Sequence, residues 1–330
     1  MKILVTGAAG FVGSNLCEAL LARGDEVVAL DDFNDFYDPA RKRANVEGFR
    51  EHEHCRFFEA DICDAARMDE IVGAERPEAV AHLAAYGNVR YSIGRAPLYT
   101  RVNIVGSINL LEAARKEGID RFVFASTSSA YGATTLLPFE ESDPCNLPLA
   151  PYPASKKAVE VLGYTYHNLH GLNFTALRFF SVYGPRGRPD MMPFMVTDRV
   201  ARGEEIVLFD AGRLKRDWTY VDDILAGIMA ALDRPLGYEI INLGRGEPVL
   251  MSDFVEIVEG LVGRKARLST PEAPASEPKI TFANIDKARR LLDYAPQTAV
   301  ADGLARLWEW YQAQVMGGSS KRVSKRGEQA

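Results

Sequence analysis

The side chains best suited to chemistry are a tyrosine and a lysine four residues apart, in the run Tyr152-Pro-Ala-Ser-Lys156. At the start of a helix, this spacing places both side chains on one face, about one turn apart. A phenol with an ordinary pKa of ~10 is a poor base at neutral pH, but a neighbouring ammonium group stabilises the phenolate. The serine and threonine run at 126–129 could add hydroxyl groups to this site or only cap a strand end. Together these segments predict a tyrosine that acts as a base with the help of a neighbouring lysine.

Three glycines, Gly7, Gly10 and Gly13, stand between a short apolar run and a helical pattern. Such a turn lets backbone approach a pyrophosphate, whose charge the helix N-terminus favours. Two residues separate Gly7 from Gly10, where the GxGxxG pattern has one. The prediction therefore depends on the apolar run before the turn and the helical pattern after it. Asp31 ends the next apolar run, where a carboxylate accepts ribose hydroxyls and repels a 2′-phosphate, which favours NAD over NADP. Other expected cofactor contacts are Phe11, Val12, Asp32, Asn34, Ile62 and Asp61, although Asp61 could equally cap a helix.

Apolar runs alternate with helical patterns through the first half of the chain. Strands are expected at 2–6, 26–30, 56–60, 79–83, 121–126 and 173–178, and helices at 11–22, 98–116 and 155–169. This alternation predicts an α/β fold, a Rossmann-type doubly wound parallel sheet. The later segments 221–232, 238–243, 252–261 and 300–313 are expected to form a smaller mixed α/β C-terminal lobe. The predicted organisation is a dinucleotide-binding domain at 1–180, to which later helices return, a substrate lobe at 181–315 and a flexible tail at 316–330.

The composition restricts the possible partners. A net charge of -6 and a pI of about 5.6 give no reason to expect nucleic acid or an anionic membrane as a partner. No apolar run reaches the ~20 residues of a membrane-spanning helix. The four cysteines lack CxxC spacing and the histidines lack paired metal-ligand spacing. We therefore expect no metal site, reduced thiols and a cytoplasmic location.

The glycine turn, the hydroxyl run and the tyrosine–lysine pair resemble the extended short-chain dehydrogenase/reductases, and within them the UDP-sugar 4-epimerases, up to about residue 314. The resemblance implies tightly bound NAD and a substrate cleft between two lobes. It aligns Thr127 with the family's catalytic serine or threonine, Tyr152 with its base and Lys156 with the partner of that base. It also implies cofactor contacts at Leu83, Ala84, Ala85 and Asn103.

The run Gly-Pro-Arg-Gly-Arg-Pro-Asp-Met, which ends at Met191, resembles the UDP-glucuronate 4-epimerase branch of this family. The resemblance points Arg188 at a sugar carboxylate, although a phosphate contact or a surface position stays open. A GxxxRD motif that begins at Gly212 places Arg216 on the diphosphate. The other implied substrate contacts are Thr127, Ser128 and Ser181 through their hydroxyls, Met192, Arg90 in a loop over the sugar, Val207 and Phe209 beside the uracil, and Glu277 at the ribose. Thr281 stands where hexose-restricted relatives have a tyrosine, which leaves room at the pocket wall.

The positions after the catalytic threonine separate the reactions of this family. The 4,6-dehydratases carry an Asp-Glu pair there, and the decarboxylases typically carry a Glu second, whereas this chain has Ser128 and Ser129. The expected reaction is therefore epimerisation of UDP-glucuronate to UDP-galacturonate. A UDP-glucose 4-epimerase, an enzyme that accepts both sugars, and a catalytically silent NAD-sensing scaffold are the alternatives. The resemblance also implies a homodimer formed through the helices at 98–116 and 155–169.

Overall fold

The structure, a computed structural model, describes residues 1–274 and 277–317. Its strands are β1 (Lys2–Thr6), β2 (Glu26–Asp31), β3 (Cys55–Glu59), β4 (Ala79–His82), β5 (Arg121–Thr127), β6 (Asn173–Phe179), β7 (Ser181–Tyr183), β8 (Glu205–Val207), β9 (Lys215–Tyr220), β10 (Tyr238–Leu243), β11 (Pro248–Leu250), β12 (Arg267–Ser269) and β13 (Ile280–Thr281). Its α-helices are α1 (Phe11–Arg23), α2 (Pro39–Val46), α3 (Ala65–Glu75), α4 (Val89–Ser92), α5 (Ala96–Tyr99), α6 (Gly106–Lys116), α7 (Pro151–His170), α8 (Met192–Arg202), α9 (Val221–Asp233), α10 (Met251–Val262), α11 (Asp286–Leu292) and α12 (Val300–Tyr311). Turns of π-helix at Thr100–Val105 join α5 to α6. The predicted tail at 316–330 lies, from residue 318 onward, outside the described residues.

A parallel sheet with the strand order β10-β6-β5-β4-β1-β2-β3 forms the centre of the molecule. Its strands are apolar almost throughout because helices cover both faces, as in β1, where Ile3, Leu4 and Val5 are all buried. Two large apolar clusters pack on opposite faces of this sheet. The predicted α/β class with a doubly wound sheet is confirmed.

One strand lies in a different place from the prediction. The segment 238–243 was expected in the smaller lobe, but β10 extends the central sheet in parallel register with β6, from Tyr238 opposite Phe174 to Leu243 opposite Phe179. The expectation was wrong because a short apolar run does not specify which distant strand it pairs with. The helix before it, α9, likewise packs against α1 and the central sheet.

The strand β9 organises the smaller lobe. It pairs with β7, β11 and β13, and β13 sets Thr281 opposite Arg216. The segment that contains Glu277 leads directly into β13, so this pairing brings Arg216 and Glu277 to one edge of the lobe. Across the described ranges, no helix combines the length and apolar character needed to cross a bilayer.

Candidate active site

A cavity of about 750 Å³ opens at the carboxyl ends of the central strands, between the sheet and the smaller lobe. Ligands bind at this edge in open α/β sheets. Most of the sequence-predicted site residues line it: Gly7, Gly10, Phe11, Val12, Gly13, Asp31, Asp32, Asn34, Ile62, Leu83, Ala84, Ala85, Arg90, Thr127, Ser128, Tyr152, Lys156, Ser181, Arg188, Met192, Arg216 and Glu277. The fold thus brings together segments that are widely separated in the chain.

The glycine turn between β1 and α1 forms one end of this cavity. Gly7 has a φ of 72°, and a Cβ added to it would lie 2.7 Å from the backbone nitrogen of Ala84. A Cβ at Gly13 would overlap the carbonyl oxygen of Gly7. No side chain caps the N-terminus of α1 at Gly10, so its first N–H groups are left for a ligand. This cradle fits the pyrophosphate of a dinucleotide.

Asp31, at the end of β2, lies beside that turn. Its Oδ2 accepts the Ala9 N–H at 3.0 Å and its Oδ1 accepts the Phe33 N–H at 2.8 Å. A carboxylate offers about four lone-pair sites, so both oxygens can still accept ribose hydroxyls. Burial raises the pKa of Asp31, and the charge of Lys42 opposes this shift. The position fits the adenosine ribose of NAD.

Lys156 lies beneath the predicted base, one turn further along α7. It is buried, and its Nζ donates to the carbonyl of Ala125 at 2.8 Å. Burial lowers the pKa of Lys156 to about 7, and the carboxylate of Glu160 opposes this shift. Burial also raises the pKa of Tyr152, and a hydrogen bond with Thr127 and the charge of Arg188 act in the opposite direction. Tyr152 and Thr127 are thus hydrogen-bonded to each other, and Lys156 contacts the backbone of the same strand at Ala125.

A buried ion pair one more turn along α7 ties this helix to β5 and β6. Glu160 accepts from Arg178 through both oxygens, at 2.9 and 2.8 Å, and from the Ser126 hydroxyl at 2.6 Å. Burial raises the pKa of Glu160, but the hydrogen bonds and charge of Arg178 outweigh it and hold this pKa below its ordinary value. Side chains at three successive turns of α7 thus engage the last three residues of β5.

His82 ends β4 and is completely buried. Its Nδ1 is 2.7 Å from the Thr6 hydroxyl and its Nε2 is 2.8 Å from the Ser107 hydroxyl. Burial, and then the charge of Lys156, hold its pKa well below the ordinary value. This histidine is a neutral, packed residue.

Arg188 enters the cavity from the loop between β7 and α8. Its Nε and Nη2 donate to the two carboxylate oxygens of Asp190, at 2.9 and 2.6 Å. Its guanidinium lies 5.1 Å from the centre of the Phe36 ring. Burial lowers the pKa of Arg188, but Asp190 outweighs burial and raises it. A fixed cation therefore stands within electrostatic reach of Tyr152.

Two further arginines share one carboxylate at the other end of the cavity. Glu277 accepts from Arg216 at 2.6 Å and from Arg90 at 3.0 Å. The Arg90 guanidinium also lies 5.6 Å from the centre of the Phe209 ring. This pair of cations fits a diphosphate, and Glu277 balances part of their charge.

Four predicted contact residues do not line the cavity: Asp61, Asn103, Val207 and Phe209. Asn103 is buried behind the wall, where it donates to the Ser155 hydroxyl at 2.9 Å and to the Tyr86 carbonyl at 3.0 Å. The Asp61 carboxylate accepts the Cys63 N–H at 2.8 Å within its own turn. Their direct roles at a ligand stay predictions.

The cavity also contains residues that sequence reasoning missed, among them Phe36, Tyr37, Lys42, Gly87, Asn88 and Asp190. Lys42 is buried and donates to the Asn34 side chain at 2.8 Å. The only sequence feature that could have indicated Lys42 as a cavity residue was its position one turn into α2, after several acidic residues. Asp190 stands in the same motif as Arg188 and could have been found there as its counter-charge.

Known proteins match this chain along nearly its whole length. The model of the NAD dependent epimerase/dehydratase family matches residues 3–244. A UDP-glucuronate 4-epimerase of Thermodesulfobacterium geofontis is 41% identical over 308 residues, which are 93% of this chain and 95% of that protein. The solved structure of a Bacillus cereus UDP-glucuronic acid 4-epimerase, in complex with UDP-glucuronic acid and NAD, matches with a TM-score of 0.87 and 34% identity over 95% of this chain and 99% of that one. A Thermotoga maritima UDP-glucose 4-epimerase structure with UDP-glucose matches with a TM-score of 0.85 and 29% identity over 96% of this chain and 100% of that one.

These matches confirm the predicted family and its cofactor class. Gly7, Asp31, Tyr152 and Lys156 all line the one cavity at the carboxyl edge of the sheet. The chain belongs to the NAD dependent epimerase/dehydratase family.

Proposed function

We propose that this protein is a UDP-glucuronate 4-epimerase, which interconverts UDP-glucuronate and UDP-galacturonate with retained NAD. The observation that carries the proposal is Arg188, a cation with only 22% of its side-chain surface exposed, in the same cavity as Tyr152, Thr127 and Lys156. Guanidinium groups bind carboxylates through paired N–H donors. The named activity of the Thermodesulfobacterium geofontis relative supports the same choice.

The cofactor site fits NAD, which Gly7, Gly13 and Asp31 would hold. When bound, NAD would supply the hydride acceptor for oxidation at C4 of the sugar and the hydride donor for reduction from the other face. Tyr152 removes the proton of the C4 hydroxyl and later gives it back, with the Thr127 hydroxyl as its hydrogen-bond partner. The Lys156 ammonium, one turn along α7 from Tyr152, donates to the Ala125 carbonyl and would support the phenolate.

Epimerisation requires the oxidised sugar to turn about its diphosphate linkage while the nucleotide stays in place. In this proposal Arg216 and Arg90 hold the diphosphate. Glu277, which accepts from both arginines, must release them when the diphosphate binds. Small hydroxyl side chains, Ser128 and Ser181, line the sugar end of the cavity. The absence of a carboxylic acid at Ser128 and Ser129 leaves elimination of water without its proton donor.

A uronate that carries a ketone at C4 is a β-keto acid and readily loses CO2. Arg188 has a second task in the proposed reaction, because a carboxylate that stays ion-paired is retained on the sugar. The guanidinium is suited to this role since Asp190 and Phe36 fix its position.

The decisive experiment incubates the purified protein with UDP-glucuronate, without added NAD, and resolves the nucleotide sugars by chromatography and proton NMR. Formation of UDP-galacturonate up to a constant ratio is the expected result. A UDP-pentose product would indicate a decarboxylase instead. Failure to convert any UDP-hexose would support the alternative of a catalytically silent NAD-sensing scaffold.

A UDP-glucose 4-epimerase, or an enzyme that accepts both sugars, is the second candidate. Thr281 leaves room at the cavity wall, and Asp190 balances the charge of Arg188, so a neutral hexose would meet no unpaired cation. The similar structure from Thermotoga maritima is of a UDP-glucose 4-epimerase. The ratio of kcat/KM for UDP-glucuronate and UDP-glucose separates the two candidates.

The proposal includes a homodimer in the cytoplasm. Val161, Tyr164 and Leu169 project from α7 with 56%, 53% and 65% of their surfaces exposed, which is unusual for three apolar side chains on one helix. The four cysteines are unpaired, which suits a reducing compartment. Light scattering on the purified protein tests the dimer, and fractionation of the source cells tests the location.

A further inference from the structure

The guanidinium of Arg188 has two edges that can bind a carboxylate, one formed by Nε and Nη2 and the other by Nη1 and Nη2. Asp190 occupies the first edge through both of its oxygens. In the described part of the chain, no protein group accepts from Nη1. One edge of Arg188 is thus committed to the protein and the other remains free.

Asp190 is itself held by a residue from the opposite side of the cavity. Asn88, which follows β4, donates from Nδ2 to Oδ2 of Asp190 at 2.8 Å. The amide of Asn88 points this way because its own oxygen accepts the Tyr91 N–H at 3.1 Å and caps α4. The contact joins the segment after β4 to the loop between β7 and α8.

Two more contacts leave the guanidinium little freedom. Phe36 lies against its face, with 5.1 Å from the guanidinium carbon to the ring centre. Gly87 lies against Nη1 so closely that a Cβ at this position would overlap the nitrogen. Tyr99 fixes this backbone segment, because its hydroxyl donates to the Gly87 carbonyl.

We propose that Asp190, held by Asn88, is a positioning residue that determines specificity for the uronate, because it orients Arg188 so that the Nη1–Nη2 edge receives the sugar carboxylate. This inference rests on the proposed function. Asp190 acts through Arg188 and does not touch the substrate.

The negative charge of Asp190 acts against uronate binding, because it repels a second carboxylate at the same guanidinium. A long arginine side chain without this partner would populate several rotamers, of which few present the free edge to the sugar. The two effects predict opposite results. If orientation dominates, loss of Asp190 weakens uronate binding, and if charge dominates, it strengthens this binding.

The test compares Asp190→Ala, Asp190→Asn and Asn88→Gly with the wild-type holoenzyme. Glycine is used at position 88 because Asn88 has a φ of 69°. Calorimetry gives the Kd of UDP-glucuronate and of UDP, and kinetics give KM and kcat for UDP-glucuronate. Asp286→Asn, on an exposed face of α11, is the control for loss of one negative charge and should change none of these values.

We expect Asp190→Ala to raise the KM and the Kd of UDP-glucuronate by about tenfold, the effect of one hydrogen bond to a charged group, and to leave the Kd of UDP unchanged. Asn88→Gly should act in the same direction but more weakly. Tighter UDP-glucuronate binding in Asp190→Asn, or an equal loss for UDP and UDP-glucuronate, would overturn the positioning role. A wild-type protein that leaves UDP-glucuronate unchanged contradicts the proposed function instead, while the binding ratios still decide the role of Asp190.

Discussion

The single residue on which the proposed chemistry depends most is Tyr152. Its ring packs edge-on against the ring of Tyr99, with 6.2 Å between the ring centres, so the side chain has a fixed position without its hydroxyl. Tyr152→Phe should therefore keep the fold and the Kd of UDP while kcat falls by about 10²–10⁴. Single-turnover kinetics and calorimetry measure the two quantities. Near-normal turnover in this variant would require another base.

Arg188 is the residue that should decide both affinity and product purity. Arg188→Ala removes charged hydrogen bonds to the carboxylate, so kcat/KM for UDP-glucuronate should fall by roughly 10- to 100-fold. The UDP-pentose fraction should rise, because the β-keto acid is no longer held as an ion pair. Chromatography of the products measures this fraction. Arg188→Lys is the matched variant, and it should recover affinity only in part since lysine lacks the planar fork.

At the scale of elements, the turn between β1 and α1 leaves no room for side chains. Gly13→Ala would push a methyl group into the Gly7 carbonyl and open the cradle, so the purified variant should carry at least about tenfold less NAD. The nucleotide released on denaturation measures this content. Gly260→Ala, in α10, is the matched control because a Cβ there meets no atom within 4 Å.

The α7–β5–β6 junction depends on the buried charge of Glu160. Glu160→Gln leaves Arg178 buried without a counter-charge, which should lower the free energy of unfolding by about 3–5 kcal/mol at pH 7. Urea unfolding measures this difference, and Glu256→Gln on the exposed face of α10 is the control.

The difference in unfolding free energy between wild type and Glu160→Gln should depend on pH, because the pKa of Glu160 is lowered in the folded protein. The stabilisation is fully present above the ordinary glutamate value of 4.5, and it should decrease as the pH falls below this value through the folded-state pKa. The gap between wild type and variant should therefore be smaller at pH 4 than at pH 7. A gap that does not change with pH would show that the charge of Glu160 is not what stabilises the junction.

Local patterns predicted the strands β1 to β6, the helices α1 and α7 and most of the cavity, because the glycine turn and the Tyr152–Lys156 pair act through contacts within one turn or one helix. Pairings between distant segments were harder to predict, because few local sequence features indicate them. Nothing near Tyr238 indicates that its strand joins β6, and Asn103 carries no local sign that its amide would be bonded to Ser155. Glu160 could have been found, since it continues the four-residue spacing of Tyr152 and Lys156 along one helix face.

At the scale of the whole molecule, the exposed side chains of Val161, Tyr164 and Leu169 on α7 are the feature that supports the proposed dimer. Tyr164→Glu places a charge at the centre of the proposed contact, so the variant should become monomeric and keep its secondary structure. Light scattering and circular dichroism test this outcome. Leu147→Glu is the control, because Leu147 is also exposed, at 69%, but lies in the loop before α7 and not on the helix. Dissociation of both variants alike would argue against α7 as the interface.

The position of β10 also affects how the chain can fold during synthesis. The strand β6 emerges from the ribosome with an open edge, and the chain builds β7, β8, β9 and α9 before β10 arrives to cover it. Unpaired parallel edges attract other strands, so this interval exposes the nascent chain to aggregation. A fragment that stops at residue 180 would keep this edge permanently open. We therefore expect the dinucleotide half to complete its central sheet only after β10 has been synthesised.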